Sequence, residues 1–284
     1  SFGLYLSPRV IEQMVQADRL PALGGEQREV TVFFSDIAGF SSFSETLSPT
    51  ELVALMNAYL SAMTEVIEDA GGYVDKYIGD AIVAVFGAPA DDAGHARHAV
   101  RAALACRERL AALNGSHPAF QGRPLSHRIG LHSGDALIGN IGSKRRFNYT
   151  VMGDAVNLAS RLEGANKFFG TDILASEATV ALAGEACTWR EIDAIRVKGR
   201  VQAVRVFEPL APAGQATAAQ VAQAAAYADA LAAWRGRDFA AAAAGFGRWA
   251  SADAAAARFE TRARELLAQP LDAAWEPVNT LEGK

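Results

Sequence analysis

Two apolar, β-branched runs that each meet an aspartate restrict the fold of this chain more than any other feature. The first run, Val-Thr-Val-Phe-Phe-Ser-Asp, is typical of a buried strand and ends at Asp36. The second is a hairpin over residues 73–78 and 81–87, and glycine leads its Gly79-Asp80 turn, as a type II′ turn prefers. If these strands are neighbours, the carboxylates of Asp36 and Asp80 lie at adjacent strand ends. Such a pair can hold two hard divalent cations and, with them, a nucleoside triphosphate.

Helical and extended patterns follow each other along the rest of the main domain. Three amphipathic helices are predicted, from Ser48 to Gly71, over residues 95–113 closed by Asn114-Gly115, and over residues 154–169 closed by Gly170. Further strands are predicted over residues 128–132, 136–141, 147–152, 173–175, 188–197 and 203–207, with a break at Ser133-Gly134-Asp135 between the first two. This order predicts an α+β fold with a ferredoxin-like βαββαβ core, extra strands, and helices packed on one sheet.

Charge and cysteine content exclude several classes of protein. The net charge is −5 without a long basic block, so we expect no nucleic-acid partner. Cys106 and Cys187 are the only cysteines, which rules out a disulfide framework or a zinc cage and suits a reducing compartment. No apolar run reaches the length of about 20 residues that spans a bilayer. Because the chain starts at Ser1, we interpret it as a soluble piece of a longer protein.

Composition divides the chain into three segments. Residues 1–26 form a linker, in which Ser7 and Pro8 begin a short helix. Residues 27–210 are the main domain. Residues 211–284 are an alanine-rich helical tail, whose aromatic spacing resembles one tetratricopeptide-like hairpin broken at Gly236-Arg237-Asp238. Since fewer than about three such repeats are rarely stable alone, we expect the tail to pack on the main domain or on a partner.

Lys76 is a cation on a strand that is otherwise apolar on one face. By strand alternation Lys76 shares a face with Val74 and Ile78, so it must find a partner there. The alternative is a lysine whose stem follows the apolar surface while its ammonium reaches water past a sheet edge.

The helix over residues 154–169 presents a second polar pair. Asn157 and Arg161 are four residues apart and share a face that is not the predicted buried stripe. An amide and a guanidinium fork presented together suit a sugar oxygen and a phosphate. The alternative is an ordinary solvated helix face.

The turn after Asp36 completes the set of candidates. It contains Gly39 and leads into a helix, so free backbone N–H groups from Ile37 to Phe40 suit a triphosphate. The alternative is that Asp36 caps that helix.

Together these residues resemble the catalytic domain of class III nucleotidyl cyclases. Four segments carry the resemblance in the family's order: Val-Thr-Val-Phe-Phe-Ser-Asp-Ile-Ala-Gly-Phe-Ser (30–41), Lys-Tyr-Ile-Gly-Asp-Ala-Ile-Val-Ala-Val-Phe-Gly (76–87), Arg-Ile-Gly-Leu-His-Ser-Gly (128–134) and Tyr-Thr-Val-Met-Gly-Asp-Ala-Val-Asn-Leu-Ala-Ser-Arg-Leu (149–162). The resemblance covers roughly residues 29–208. It implies the class III cyclase fold and a head-to-tail homodimer whose active sites lie between the two chains.

The resemblance also implies the chemistry. Asp36 and Asp80, with the backbone at Ile37, would hold two Mg²⁺ or Mn²⁺ ions per active site. The ribose 3′-hydroxyl would attack the α-phosphorus in line and pyrophosphate would leave. Asn157 would orient the ribose and Arg161 would stabilise the transition state. Ile37, Gly39, Phe40 and Lys198 would bind the substrate's phosphates.

Base choice would fall to Lys76 and Thr150. Lysine favours ATP, because it can donate to adenine N1, whereas guanylyl cyclases of this family usually carry Glu at that place. Most adenylyl cyclases have Asp where this chain has Thr150, and threonine there is similar to the bacterial class IIIb group. Because a hydroxyl can donate or accept, discrimination against GTP stays open.

The expected function is therefore an adenylyl cyclase that makes 3′,5′-cyclic AMP for intracellular signalling. Two alternatives stay open: a guanylyl or mixed-specificity cyclase, and a catalytically silent domain that regulates by binding nucleotide. The Phe2–Pro8 segment resembles the junction to upstream sensor or membrane modules. We therefore expect a cytoplasmic domain of a membrane-anchored protein.

Overall fold

A computed structural model describes residues 23–197, 202–268, 272 and 274–281. The strands are β1 (Gly24–Ile37), β2 (Tyr73–Ile78), β3 (Ala81–Phe86), β4 (His127–Ser143), β5 (Arg146–Met152), β6 (Ile173–Ser176), β7 (Cys187–Val197), β8 (Val204–Pro212) and β9 (Asn279–Leu281). The helices are α1 (Phe40–Ser44), α2 (Pro49–Asp69), α3 (His95–Ser116), α4 (Asp154–Phe169), α5 (Glu177–Ala183), α6 (Ala218–Arg235), α7 (Phe239–Gly247) and α8 (Ala254–Ala268). The helix predicted at Ser7-Pro8 and the candidate Lys198 lie outside the described residues.

The described strands form one sheet with helices on both faces, which confirms the α+β prediction. Its order is β2-β3-β1-β4-β6-β8-β7-β9, and β5 pairs with β4 off this path. Successive residues of β1 serve opposite faces: Phe33 packs with α2 and α3, whereas Val32 packs with α4. Because β1 and β3 are antiparallel neighbours, the carboxyl end of β1 and the β2–β3 turn meet at one edge of the sheet. None of the described helices is both long and apolar enough to cross a bilayer.

Capping signals in the sequence correctly predicted the start of α2 and the end of α4. Ser48 caps α2 as predicted, because its hydroxyl accepts from the Glu51 amide at 3.3 Å while the Glu51 carboxylate accepts from the Ser48 amide at 2.9 Å. Helix α4 ends before Gly170, which adopts the left-handed conformation with φ of 68°.

The predicted end of α3 was wrong, because this helix runs through Asn114 to Ser116. The Asn114 side chain instead bonds both backbone groups of Leu125 at 2.7 and 2.9 Å and so anchors the segment leading to β4.

The break predicted at Ser133-Gly134-Asp135 was also wrong, because β4 is one strand of 17 residues. The neighbouring strand β1 is long enough to pair with it without interruption from Gly24↔Asn140 to Ile37↔His127. Turn residues therefore stay extended where a partner strand satisfies their backbone groups.

Strand β2 contains a bulge that changes the predicted faces. Val74 pairs with Ala84, but Lys76 pairs with the next residue along β3, Val83, so one residue of β2 is extra. Consequently Lys76 shares a face with Ile78 and not with Val74. The extra residue is Asp75, and its side chain is only 2% exposed.

The helical tail packs on the sheet, as expected. A continuous buried cluster joins Leu162 and Ile192 of the main domain to Tyr227, Trp234 and Phe259 of the tail. The Tyr227 hydroxyl also donates to the carbonyl oxygen of Ile192 at 3.0 Å. After the tail, β9 adds to the sheet in parallel beside β7, a contact that the sequence analysis missed.

His127 is buried, and we expect it to make the stability of the fold depend on pH. Burial, with the nearby charge of Arg107, lowers its pKa from 6.5 to about 4. Between these two values the unfolded chain binds a proton that the folded chain does not, so the contribution of His127 to stability is complete above pH 6.5 and is lost as the pH falls. His127 alone accounts for a loss of about 3 kcal/mol over this window.

Urea unfolding at pH 7.5 and 4.5 measures this loss. His127→Gln keeps a polar group beside the Tyr59 hydroxyl, which lies 3.1 Å from His127 Nδ1, but it does not titrate. The unsubstituted chain should therefore lose more stability than His127→Gln does. Equal losses in the two proteins would show that His127 makes no such contribution.

Candidate active site

Asp36 and Asp80 come together at the sheet edge, as predicted. Strands β1 and β3 are antiparallel neighbours with Ser35 opposite Ile82, so Asp36, the residue after Ser35, approaches Asp80, the residue before β3. The backbone amide of Ile37 donates to Asp80 Oδ2 at 3.1 Å. Gly79 has φ of 65°, which allows the tight turn that presents Asp80.

The electrostatics of this pair suit a divalent cation. Burial, the hydrogen bond to Asp80 and the charges of Asp80 and Glu163 together raise the pKa of Asp36 to about 7, in spite of the backbone hydrogen bond from Ile37, which lowers it. Among the described residues no three His, Cys, Asp or Glu side chains converge as a complete metal cage. Two carboxylates fit Mg²⁺, which usually takes one or two of them and completes its shell with water and substrate phosphates.

The segment that follows Asp36 differs in part from the prediction. Two of its amides are already engaged: that of Ile37 by Asp80, and that of Ala38 by the Ser126 carbonyl at 2.8 Å. Gly39 adopts the left-handed conformation with φ of 70° and begins α1 without a side-chain cap. Of the residues predicted to offer amides, Gly39 and Phe40 therefore lie at the open start of α1, whereas the Ile37 amide is not free.

Arg128 belongs to this edge and was missed as a candidate. It pairs with Asp36 across β1 and β4, which places the two side chains on one face of the sheet. Its guanidinium lies 3.8 Å from Glu163 Oε1, and its side chain is 23% exposed. Arg128 begins the Arg-Ile-Gly-Leu-His-Ser-Gly motif, but only the strand register shows that it faces Asp36.

Lys76 and Thr150 form a second group, although they come from strands that are far apart in the sequence. The sheet curls so that β5 returns over β2 and β3: Val151 packs with Val83 and Val85, and the Tyr73 hydroxyl donates to the Tyr149 carbonyl at 2.8 Å. Lys76 Nζ donates to Thr150 Oγ1 at 3.0 Å. The ammonium thus has a partner and its side chain is still 43% exposed, so both interpretations of Lys76 hold in part.

Asn157 and Arg161 lie exposed on α4, on the face predicted for them. The buried stripe of the helix is the predicted one: Ala155, Leu158, Ala159 and Leu162. The two side chains therefore point away from the core of their own chain, where a ligand or a second chain can reach them.

Comparisons with known proteins agree with this arrangement. The model of the adenylate and guanylate cyclase catalytic domain matches residues 25–208. Adenylate cyclase 1 of Rhizobium meliloti is 38% identical over 208 residues, which are 73% of this chain and 31% of that protein. This chain thus spans about a third of the length of that relative.

Two solved structures share the fold. The adenylyl cyclase CyaB from P. aeruginosa has a TM-score of 0.63 and 33% identity, over 69% of this chain and 100% of that one. The guanylyl cyclase Cya2 has a TM-score of 0.61 and 32% identity, over 68% of this chain and 97% of that one. One of these structures is an adenylyl cyclase and the other a guanylyl cyclase, and their similarity to this chain is nearly equal. Structural similarity therefore does not distinguish adenine from guanine as the base, and the argument must rest on the side chains of the site.

Proposed function

This chain belongs to the family of adenylate and guanylate cyclase catalytic domains, and from that premise we propose that it converts ATP to 3′,5′-cyclic AMP and pyrophosphate. The observation that carries the choice of ATP is the hydrogen-bonded pair of Lys76 and Thr150. An ammonium group is a donor without acceptor capacity, so it matches the N1 acceptor of adenine and opposes the N1–H donor of guanine.

The other end of the substrate is proposed to lie at the edge formed by Asp36 and Asp80. There two carboxylates would hold Mg²⁺ or Mn²⁺ with the triphosphate, and Arg128 adds a cation on the same face as Asp36. When bound, the metal ions supply charge neutralisation at the phosphates and a lower pKa for the ribose 3′-hydroxyl. The amides of Gly39 and Phe40 would bind phosphate oxygens at the start of α1.

Asn157 and Arg161 supply the remaining groups. The Asn157 amide can hold a ribose oxygen, which orients the 3′-hydroxyl for attack in line with the α-phosphorus. Arg161 can donate two hydrogen bonds to the phosphoryl oxygens, where negative charge accumulates as pyrophosphate leaves. Lys198 keeps its predicted role as a further phosphate contact, outside the described residues.

The active site is proposed to form between two copies of the chain. One copy would contribute Asp36 and Asp80, and the other would contribute Lys76, Thr150, Asn157 and Arg161. Three observations support this division: Asn157 and Arg161 are exposed, Lys76 is partly exposed, and the apolar side chains of Tyr77, Ile78, Leu137 and Met152 are 46–56% exposed around β2 and β5. Two-fold symmetry would then give two equivalent sites.

Product formation from ATP and, separately, from GTP tests the proposed function. The assay uses Mn²⁺ and then Mg²⁺ over a series of protein concentrations. Cyclic AMP from ATP, with specific activity that rises with protein concentration, is the expected result, because the site needs two chains. Cyclic GTP as the main product would replace the proposal with a guanylyl cyclase. No product from a confirmed dimer would favour a silent nucleotide-binding domain.

A further inference from the structure

The carboxylate of Asp75 is buried against Lys76 and Thr150, the pair proposed to face the base. The bulge in β2 makes Asp75 the extra residue between Val74 and Lys76, and it leaves the Asp75 side chain 2% exposed. A buried carboxylate is costly unless hydrogen bonds satisfy it. Its partners come from β5 and from the neighbouring lysine, so the bulge places Asp75 directly behind Thr150.

One oxygen of Asp75 collects three donors. The Thr150 hydroxyl donates to Asp75 Oδ2 at 2.7 Å, the Val151 amide donates to it at 3.3 Å, and Lys76 Nζ lies 3.3 Å from it. The Thr150 side chain has one hydrogen to donate, and the contact with Asp75 uses it. Lys76 Nζ donates to the same hydroxyl oxygen at 3.0 Å, which leaves one lone pair of that oxygen unused.

We propose that Asp75 is a specificity-determining positioning residue, which holds the Thr150 hydroxyl as an acceptor and thereby selects adenine over 6-oxopurines. This inference rests on the proposed function, because it assumes that Lys76 and Thr150 face the base. A threonine hydroxyl is otherwise ambiguous, since it can rotate to donate to O6 of guanine or to accept from N6 of adenine. With its hydrogen committed to Asp75, it can only accept.

The same three side chains then present one pattern to the base. The hydroxyl oxygen of Thr150 accepts from the N6 amino group, and a remaining N–H of Lys76 donates to N1. A 6-oxopurine reverses both positions: its O6 is an acceptor and its N1 carries a hydrogen. It would therefore place acceptor against acceptor and donor against donor, and a site that desolvates such groups rejects them strongly.

The test compares ATP with inosine triphosphate, which differs from ATP only at the 6-position and N1. Asp75→Ala removes the acceptor that holds the hydroxyl. We expect the ratio of kcat/KM for ATP to that for inosine triphosphate to fall at least about tenfold, with GTP following inosine triphosphate. Asp75→Asn, which keeps an acceptor oxygen of the same shape, should restore most of the ratio. If Asp75→Ala does not fold, Asp75→Leu fills the volume and tests the same loss.

Two controls separate the orientation of the hydroxyl from a general loosening of the site. Tyr73→Phe removes another hydrogen bond between β2 and β5, from the Tyr73 hydroxyl to the Tyr149 carbonyl, and should leave the ratio unchanged. In a Thr150→Ala background, Asp75→Ala should no longer change the ratio, because Asp75 acts through the hydroxyl. An unchanged ratio in both Asp75→Ala and Asp75→Leu would overturn the inference, as would an equal fall in Tyr73→Phe.

Equilibrium binding of the same nucleotides keeps this inference distinct from the proposed reaction. If the unsubstituted protein makes no product but binds ATP in preference to inosine triphosphate, and Asp75→Ala loses that preference, the reaction is wrong and the inference stands. If the unsubstituted protein binds both nucleotides equally, the inference is wrong whatever the activity.

Discussion

Mixing an Asp36→Ala chain with an Arg161→Ala chain is expected to restore about a quarter of the specific activity of the unsubstituted protein. Each variant alone should lose activity by about 100-fold or more, because each lacks a charged group that acts on the phosphates. In an equal mixture half of the dimers are hybrids. Each hybrid has one intact site, which takes Asp36 from one chain and Arg161 from the other, and one site that carries both substitutions. A quarter of all sites in the mixture are therefore intact.

The matched control mixes Asp36→Ala with Asp80→Ala. These residues lie at one sheet edge of the same chain, so every site in every dimer lacks a carboxylate and the mixture should stay inactive. Activity is followed as cyclic AMP formation after the chains have exchanged, and dimerisation is checked by sedimentation. If the Asp36→Ala and Arg161→Ala mixture stays inactive while hybrids form, the two groups do not share a site across chains.

Replacing Gly130 with alanine is expected to disable the protein through a backbone contact between β4 and α4. An added Cβ would lie 2.1 Å from the Ala159 carbonyl oxygen and 2.4 Å from the Glu163 amide, both in the backbone of α4. Backbone atoms of a packed helix cannot move aside as the end of a flexible side chain can. We expect α4 to shift, the protein to lose about 3 kcal/mol of stability, and activity to fall about 100-fold because Asn157 and Arg161 move with the helix.

Gly164→Ala on the same helix is the matched control. An added Cβ at Gly164 meets no atom within 4 Å, and its backbone conformation suits alanine. This variant should therefore gain about 0.5–1 kcal/mol, since alanine loses less backbone entropy in a helix. Thermal unfolding and cyclic AMP formation are measured on both variants. A Gly130→Ala protein as stable and active as Gly164→Ala would show that β4 and α4 do not pack closely.

Local patterns in the sequence were sufficient for several elements of the candidate site. The stripe of Leu158 and Leu162 predicted α4 and left Asn157 and Arg161 outside its buried face, because helical periodicity depends only on neighbours within a turn or two. In the same way the β2–β3 hairpin follows from two apolar runs around the Gly79-Asp80 turn. The family resemblance covered nearly the same residues, 25–208, that the family model matches.

Other features depend on residues that are distant in the sequence. The break predicted at Ser133-Gly134-Asp135 failed because β1 pairs with that segment along its whole length. Arg128 was missed because its position beside Asp36 is a matter of strand register, which no local pattern encodes. The predicted face of Lys76 was wrong because strict alternation does not allow for a bulge.

The sequence by itself therefore determined α2 and α4, the hairpin and the two aspartates at strand ends, since each follows from interactions among residues close along the chain. Only the tertiary structure decided that the sheet curls to bring Thr150 to Lys76, and that Asp75 turns inward behind them. The physical reason is that curl, bulge and register are set by pairing and packing between strands, and these contacts join residues about 75 positions apart.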